Sequence, residues 1–152
     1  MNKKKLVEYA KLIVNTGIRV EKGDEVWVYA QFDQVDFVAM VVEEIYKAGA
    51  KKVRMIWGND QIDRLNYKYM SVPELGKVPS YRLYEYKYMA KKLPTRLIIE
   101  SEDPDAMKGI NTTKIAKARM KSFPKIKSDV FTQRFGILKL SAIIKPCKEV
   151  ER

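Results

Sequence analysis

"EVWVYAQFDQVDFVAMVVEEIYKAGAKKVRMIW", Glu25 to Trp57, holds two short runs rich in β-branched and aromatic residues with a helical pattern between them. The first run, "EVWVYAQ" (25–31), is nearly continuous in apolar residues and reads as a buried strand. Val35, Val38, Val42, Ile45 and Tyr46 recur at helical spacing, so a helix is predicted with Asp33 as its cap and Gly49 as its stop. The second run, "VRMIW" (53–57), reads as another buried strand, ending at Gly58. A β-α-β unit of this length pairs its strands in parallel through a right-handed crossover.

Upstream, Leu6, Val7, Ala10, Ile13 and Val14 form a helical stripe over 3–16, with Gly17 as a stop and Lys22-Gly23-Asp24 as a turn. Downstream, Asp60 is placed to cap a helix over about 61–70, and Ser71 to Glu74 match a capping box. A further helix opens at Pro79-Ser80 and stops at Pro94. Its Tyr81, Tyr84 and Tyr88 fall on one face, a pattern that predicts packing. "TRLIIES" (95–101) is a third strand. A basic helix over 112–131 is expected to bend or break at Pro124, and "FGILKLSAIIK" (135–145) is a fourth strand. Strands alternate with helices, which predicts an α/β fold. It is a doubly wound, mostly parallel sheet of four or more strands flanked by helices, in one domain over 1–152.

Composition narrows the chemistry. The 152 residues contain no histidine, which removes His-based triads, His general bases and the commonest zinc ligand. One cysteine, Cys147, excludes an internal disulfide and a cysteine-cluster metal site, and fits a cytoplasmic location. No apolar run is long enough for a membrane span. The net charge is +11, and residues 112–152 carry 11 Lys and Arg against 3 Asp and Glu. Such a segment suits an acidic partner, and Arg119, Lys121, Lys125 and Lys127 are the candidate docking surface.

"AQFDQ" after the first strand is neither a dinucleotide fingerprint nor a phosphate loop, which excludes nucleotide binding there. "ESEDPD" offers Glu100, Glu102, Asp103 and Asp105. They can be read as oxygen ligands for Mg²⁺ or Ca²⁺, or as a solvated loop leading into a helix N-terminus. The second reading is favoured, because successive carboxylates do not converge on one ion without a glycine-shaped loop. Trp57, Asn59, Asp60 and Arg64 stand at or just past a strand's C-terminal end, where open α/β sheets bind ligands. They are candidates for a ligand-facing wall. The plainer alternative is a core Trp, a helix cap and a solvated Arg, since Asp60 has no histidine, cysteine or hydroxyl partner with which to catalyse. Tyrosines interleaved with Lys68, Arg82, Lys87, Lys91 and Lys92 keep a basic nucleic-acid-binding domain open as an alternative.

"LVEYAKLIVNTGIRVEKGDEVWVYA" (6–30) resembles the opening of the thermophilic-type metallo-aminopeptidases, the aminopeptidase T/AmpS/PepS family, with Gly17, Val20 and Gly23 matching its "G-x-x-V-x-x-G" turn. Tyr46, Gly49, Ala50, Val53, Trp57, Asp60, Arg64 and Tyr67 match a further family pattern in order, as does "EDPDAMKGIN" (102–111). The resemblance runs from about residue 6 to 140. It implies an N-terminal domain of an enzyme that removes N-terminal residues from peptides with two divalent metal ions, zinc, cobalt or similar. In that family the paired-metal site lies in a C-terminal catalytic domain, and the N-terminal domain helps enclose a substrate cavity formed in a homodimer. This chain is therefore expected to be a truncated, non-catalytic piece whose partner is the missing catalytic domain. Peptide is then the parent's substrate, a nucleic-acid partner is not expected, and a stand-alone adaptor is the remaining alternative.

Overall fold

Two turns set the frame of the sheet. Gly23 and Gly49 both take left-handed backbone angles, with φ of +86° and +104°. The Gly23 amide donates to the Gly49 carbonyl at 2.8 Å, and the Lys51 amide donates to the Asp24 carbonyl at 2.8 Å. The turn entering the first strand is thus tied to the turn entering the second. The computed structural model describes residues 3–100, 105, 108–131 and 141–144. The chain divides into two compact units, a sheet unit (Met1–Asn59, Pro94–Glu102, Leu138–Arg152) and a helical unit (Asp60–Leu93, Asp103–Ile137).

In the sheet unit, strand β1 (Glu25–Gln31) is central. It pairs in parallel with β2 (Lys52–Gly58) on one side and β3 (Thr95–Ile99) on the other, and a short β4 (Ser141–Ile144) continues beyond β3. The order β2-β1-β3-β4 reverses direction between β1 and β3, as in doubly wound sheets. Side chains alternate across the sheet. Val26, Val28 and Ala30 of β1, Leu97 and Ile99 of β3, and Val53 and Met55 of β2 line one face. Helices α1 (Lys3–Leu12) and α2 (Val35–Lys47) contribute Ala10, Phe37, Val38, Val41 and Ile45 to the same core, and Tyr9 stacks on Phe37 with centroids 5.8 Å apart. The other face carries Trp27 and Tyr29. Arg54 lies over the Trp27 ring at 4.4 Å and Arg96 over the Tyr29 ring at 5.2 Å, while Trp27 Nε1 donates to Glu25 Oε1 at 2.8 Å. Stacked guanidiniums let this face hold cations against aromatic rings.

Several expectations change. The first helix ends in a wider, π-helical turn (Ile13–Gly17), and the left-handed reversal falls on Arg19 (φ 46°) rather than on Gly17. Asp33 is not the residue at the cap position of α2. It lies in a 3-10 turn (Phe32–Gln34), and the cap position is Gln34, whose side chain caps nothing. The apolar face of α2 is rotated from the expected one. Phe37, Val38, Val41 and Ile45 are buried, whereas Val35 and Tyr46 are exposed. Glu44 is also buried on α2, paired to Lys47 at 2.9 Å, and Lys47 reaches Glu43 at 2.8 Å as well. The hydrogen bond and charge of Lys47 hold the Glu43 carboxyl below the usual range. β2 is half-buried rather than buried, because it is an edge of the described sheet.

The helical unit contains α3 (Asp60–Tyr69), α4 (Val72–Leu75), α5 (Ser80–Lys92) and α6 (Thr112–Phe131). Ser71 Oγ accepts from the Glu74 amide at 3.4 Å, the first half of the expected capping box. Leu93, left-handed at φ 48°, and the following Pro94 end α5. Helix α6 runs unbroken through Pro124. α4 and α5 pack on α6. At Gly76 a Cβ would lie 2.9 Å from both the Ala118 carbonyl oxygen and Lys121 Cβ, so a bare backbone permits this approach. The expected packing of Tyr81, Tyr84 and Tyr88 is not found: all three are exposed, and α5 has no buried residue. The fourth strand is described only over Ser141–Ile144. The rest of its expected span, most of "ESEDPD" and Cys147 lie outside the described residues.

The glycines differ in what they require, and this is testable. Gly49→Ala is expected to cost about 1–3 kcal/mol, because φ is positive and a Cβ would lie 3.1 Å from Lys22 Cα. Gly17→Ala is expected to shift stability by no more than about 1 kcal/mol, since Gly17 has ordinary φ and open space around it. Urea unfolding of the two variants checks the contrast, and equal midpoints would refute it. Gly76→Ala is expected to cost about 1–3 kcal/mol by overpacking, read as faster amide exchange in α4 and α6.

Candidate functional site

The C-terminal edge of the parallel sheet is built where β1 and β2 end side by side. Register pairs Ala30 with Trp57 and Gln31 with Gly58. Phe32 follows β1 directly, and its ring meets Trp57 edge-on, with centroids 6.1 Å apart and planes at 75°. Phe32 is 62% exposed and Trp57 41% exposed. The Gln31 amide lies against Gly58, where a Cβ would stand 3.0 Å from Gln31 Oε1. The result is an open aromatic ledge with an amide beside it. Such a ledge can hold an apolar side chain and hydrogen-bond a peptide backbone. It contains no nucleophile or base.

Of the four wall candidates, Trp57 and Asn59 belong to the sheet unit, and Asp60 and Arg64 to the helical unit. Asp60 is the first residue of α3 rather than the residue before it. Arg64 Nη1 reaches the Asp105 carbonyl oxygen at 3.5 Å, and its Nη2 lies near left-handed Gly109, so this guanidinium braces the loop before α6. Desolvation by surrounding side chains raises the Asp63 carboxyl, although the residue as a whole stays exposed, and the Asp60 charge adds to the effect. A raised carboxyl at a helix start opposes folding at neutral pH, because the protonated form is the better accommodated one.

The basic candidates on α6 do not share one face. At 100° per residue, Lys121 and Lys125 leave one side of the helix and Arg119 another. Arg119 and Lys125 are exposed, Lys121 Cβ packs by Gly76, and the Lys127 side chain lies outside the described residues. Sequence reasoning missed two residues. Lys114 Nζ donates to the Tyr67 carbonyl at 2.7 Å and the Lys68 carbonyl at 3.3 Å, capping the last turn of α3 with a cation. Nothing local marks it, since its partners are 46 and 47 residues away. Phe32 was also missed; an aromatic residue just past a strand's C-terminal end is the signal that finds it.

Among the described residues the donors do not gather into a paired-metal centre. The sequence has no histidine, and among the described residues no three carboxylates or thiols come together. Asp105 is engaged with Lys108 at 3.8 Å. Among the described residues no helix is long and apolar enough to cross a membrane.

Comparison with known proteins gives this ledge a context. The family model described as thermophilic metalloprotease (M29) matches residues 2–135. Aminopeptidase PepS of Streptococcus thermophilus is 34% identical over 108 residues, covering 71% of this chain and 26% of the relative. Aminopeptidase AmpS of Bacillus subtilis is 34% identical over 112 residues, covering 74% and 27%. Aminopeptidase T of Thermus thermophilus is 31% identical over 118 residues, covering 77% and 29%. A solved structure of wild-type AmpT from Thermus thermophilus superposes with a TM-score of 0.79 at 25% identity, over 96% of this chain and 36% of that one. The chain thus spans under a third of the length of these curated relatives. With the family model matching most of its length, this chain belongs to the M29 family of metalloproteases.

Proposed function

We propose that this chain acts as a non-catalytic α/β region of an M29 aminopeptidase, with the Phe32–Trp57 ledge bordering the space where a peptide is held. The observation that carries this reading is the family match over residues 2–135 in a sequence without a single histidine. The metal ions and the activated water of such a reaction require donors that these residues do not supply. Hydrolysis therefore belongs to another part of the enzyme, and the contribution here is apolar contact and positioning. The ledge suits that role because it lies at the strand ends where open α/β sheets receive ligands. Asn59 then stands at the exit from β2, while Arg64, within the helical unit, braces the backbone at Asp105. Further polypeptide, carrying the metals, is the partner this reading requires.

Two measurements test it. The pure 152-residue chain is expected to release no leucine from an N-terminal leucyl peptide, with or without added Co²⁺ or Zn²⁺. Metal-dependent release would overturn the non-catalytic assignment. Next, this chain is grafted into PepS in place of the region it matches. In that chimera Trp57→Ala is expected to raise KM several-fold with little change in kcat, as for a residue that binds without taking part in the chemistry. An unchanged KM would remove the ledge from the substrate space.

A further inference from the structure

The helical unit is short of a core. Among its described residues only Ile115 and Ala118 are buried apolar side chains, and α3, α4 and α5 bury none of theirs. Large apolar groups instead face outward on the two packed helices α5 and α6. Tyr81 is 66% exposed, Tyr84 74%, Met120 77% and Phe123 58%. Tyr81 and Tyr84 lie within one 60° arc of α5, and exposed Lys91 and Lys92 follow at the end of the same stripe. Exposed Lys125 stands beyond Phe123 on α6.

At the exposures given, and taking large side chains at ~150–250 Å² each, the four apolar side chains leave roughly 550 Å² in water, about two-thirds of the ~800 Å² that one partner contributes to a standard interface. Tyrosine, phenylalanine and methionine are also the residues enriched in such interfaces. The helical unit carries 15 Lys and Arg against 7 Asp and Glu, a net +8 of the chain's +11. A second copy would set +8 against +8, so charge argues against self-association and for an acidic occupant. Single-stranded nucleic acid also has negative charge and flat rings. However, Met120 and Phe123 add apolar area that a phosphate backbone does not use.

We propose that the outer faces of α5 and α6 form a docking surface for an acidic polypeptide with an apolar centre. Tyr81, Tyr84, Met120 and Phe123 fill that centre, and Lys91, Lys92 and Lys125 form a cationic rim. This rests on the reading that the chain works against further polypeptide. Its test is a binding measurement that involves no hydrolysis, so either reading can fail without the other.

The full chain is titrated against labelled Glu/Tyr copolymer, with poly-Glu and oligouridine of similar length as comparisons, and sedimented alone. The chain is expected to sediment as a monomer and to bind the Glu/Tyr copolymer at least tenfold more tightly than the other two. Tyr84→Ser with Phe123→Ser should weaken that binding about tenfold without changing the circular dichroism spectrum, since both side chains are exposed. Lys91→Gln with Lys92→Gln should weaken it and flatten its salt dependence. Equal binding of poly-Glu, tighter binding of oligouridine, dimerisation of the chain alone, or wild-type affinity in both double variants would each overturn the proposal.

Discussion

The hydrogen bond from the Gly23 amide to the Gly49 carbonyl is the constraint on which the sheet depends. It joins two turns, one just before β1 and one just before β2, at points where both backbones are left-handed. Because the turns are tied together, both strands start level, and Glu25 pairs with Lys52. That register sends Val26, Val28, Val53 and Met55 to the face covered by α1 and α2. A slip of β2 by one residue would turn Val53 and Met55 to the opposite face. The same register brings Trp57 beside Ala30 at the far end, within reach of Phe32. The ledge is thus set by a turn at the other end of the strands.

Much of this was legible from residue patterns, and the failures have physical causes. The β-α-β unit was legible because both strands and their intervening helix carry strong local signals, and Gly23 and Gly49 stood in motif positions before their geometry was known. Gly17 stood in the same motif, yet its conformation and surroundings require no glycine. The face of α2 was misjudged because Val35 and Tyr46 fit the periodicity as well as Phe37 and Val41 do. Which arc is buried depends on where β1 and α1 lie, and that is tertiary information. Asp33 was read as the residue at the cap position, but a 3-10 turn puts Gln34 there instead. Of the wall candidates, Trp57 was placed correctly at a strand end, whereas the use of Arg64 as a loop brace depends on a partner 41 residues away.

The tyrosines of α5 illustrate a different limit. Spacing on one face predicts that side chains act together, not that they are buried by their own chain. The sheet unit has enough apolar area for a core, and its helices spend their stripes on it. The helical unit holds together through close backbone approach at Gly76, the Lys114 cap on α3 and the Arg64 contact, all of which are polar or steric devices. Small units with little buried area are marginal by themselves.

The two tryptophans differ in a way that gives the protein its own optical probes. Trp27 is buried, with the Arg54 guanidinium over its ring and its indole N–H donated to Glu25, so its emission reports whether β1 is intact. Trp57 stands half in water against Phe32 at the strand ends, so its emission reports what approaches the ledge. Quenching by a small solute would separate the two signals, reading integrity and encounter from one unlabelled sample.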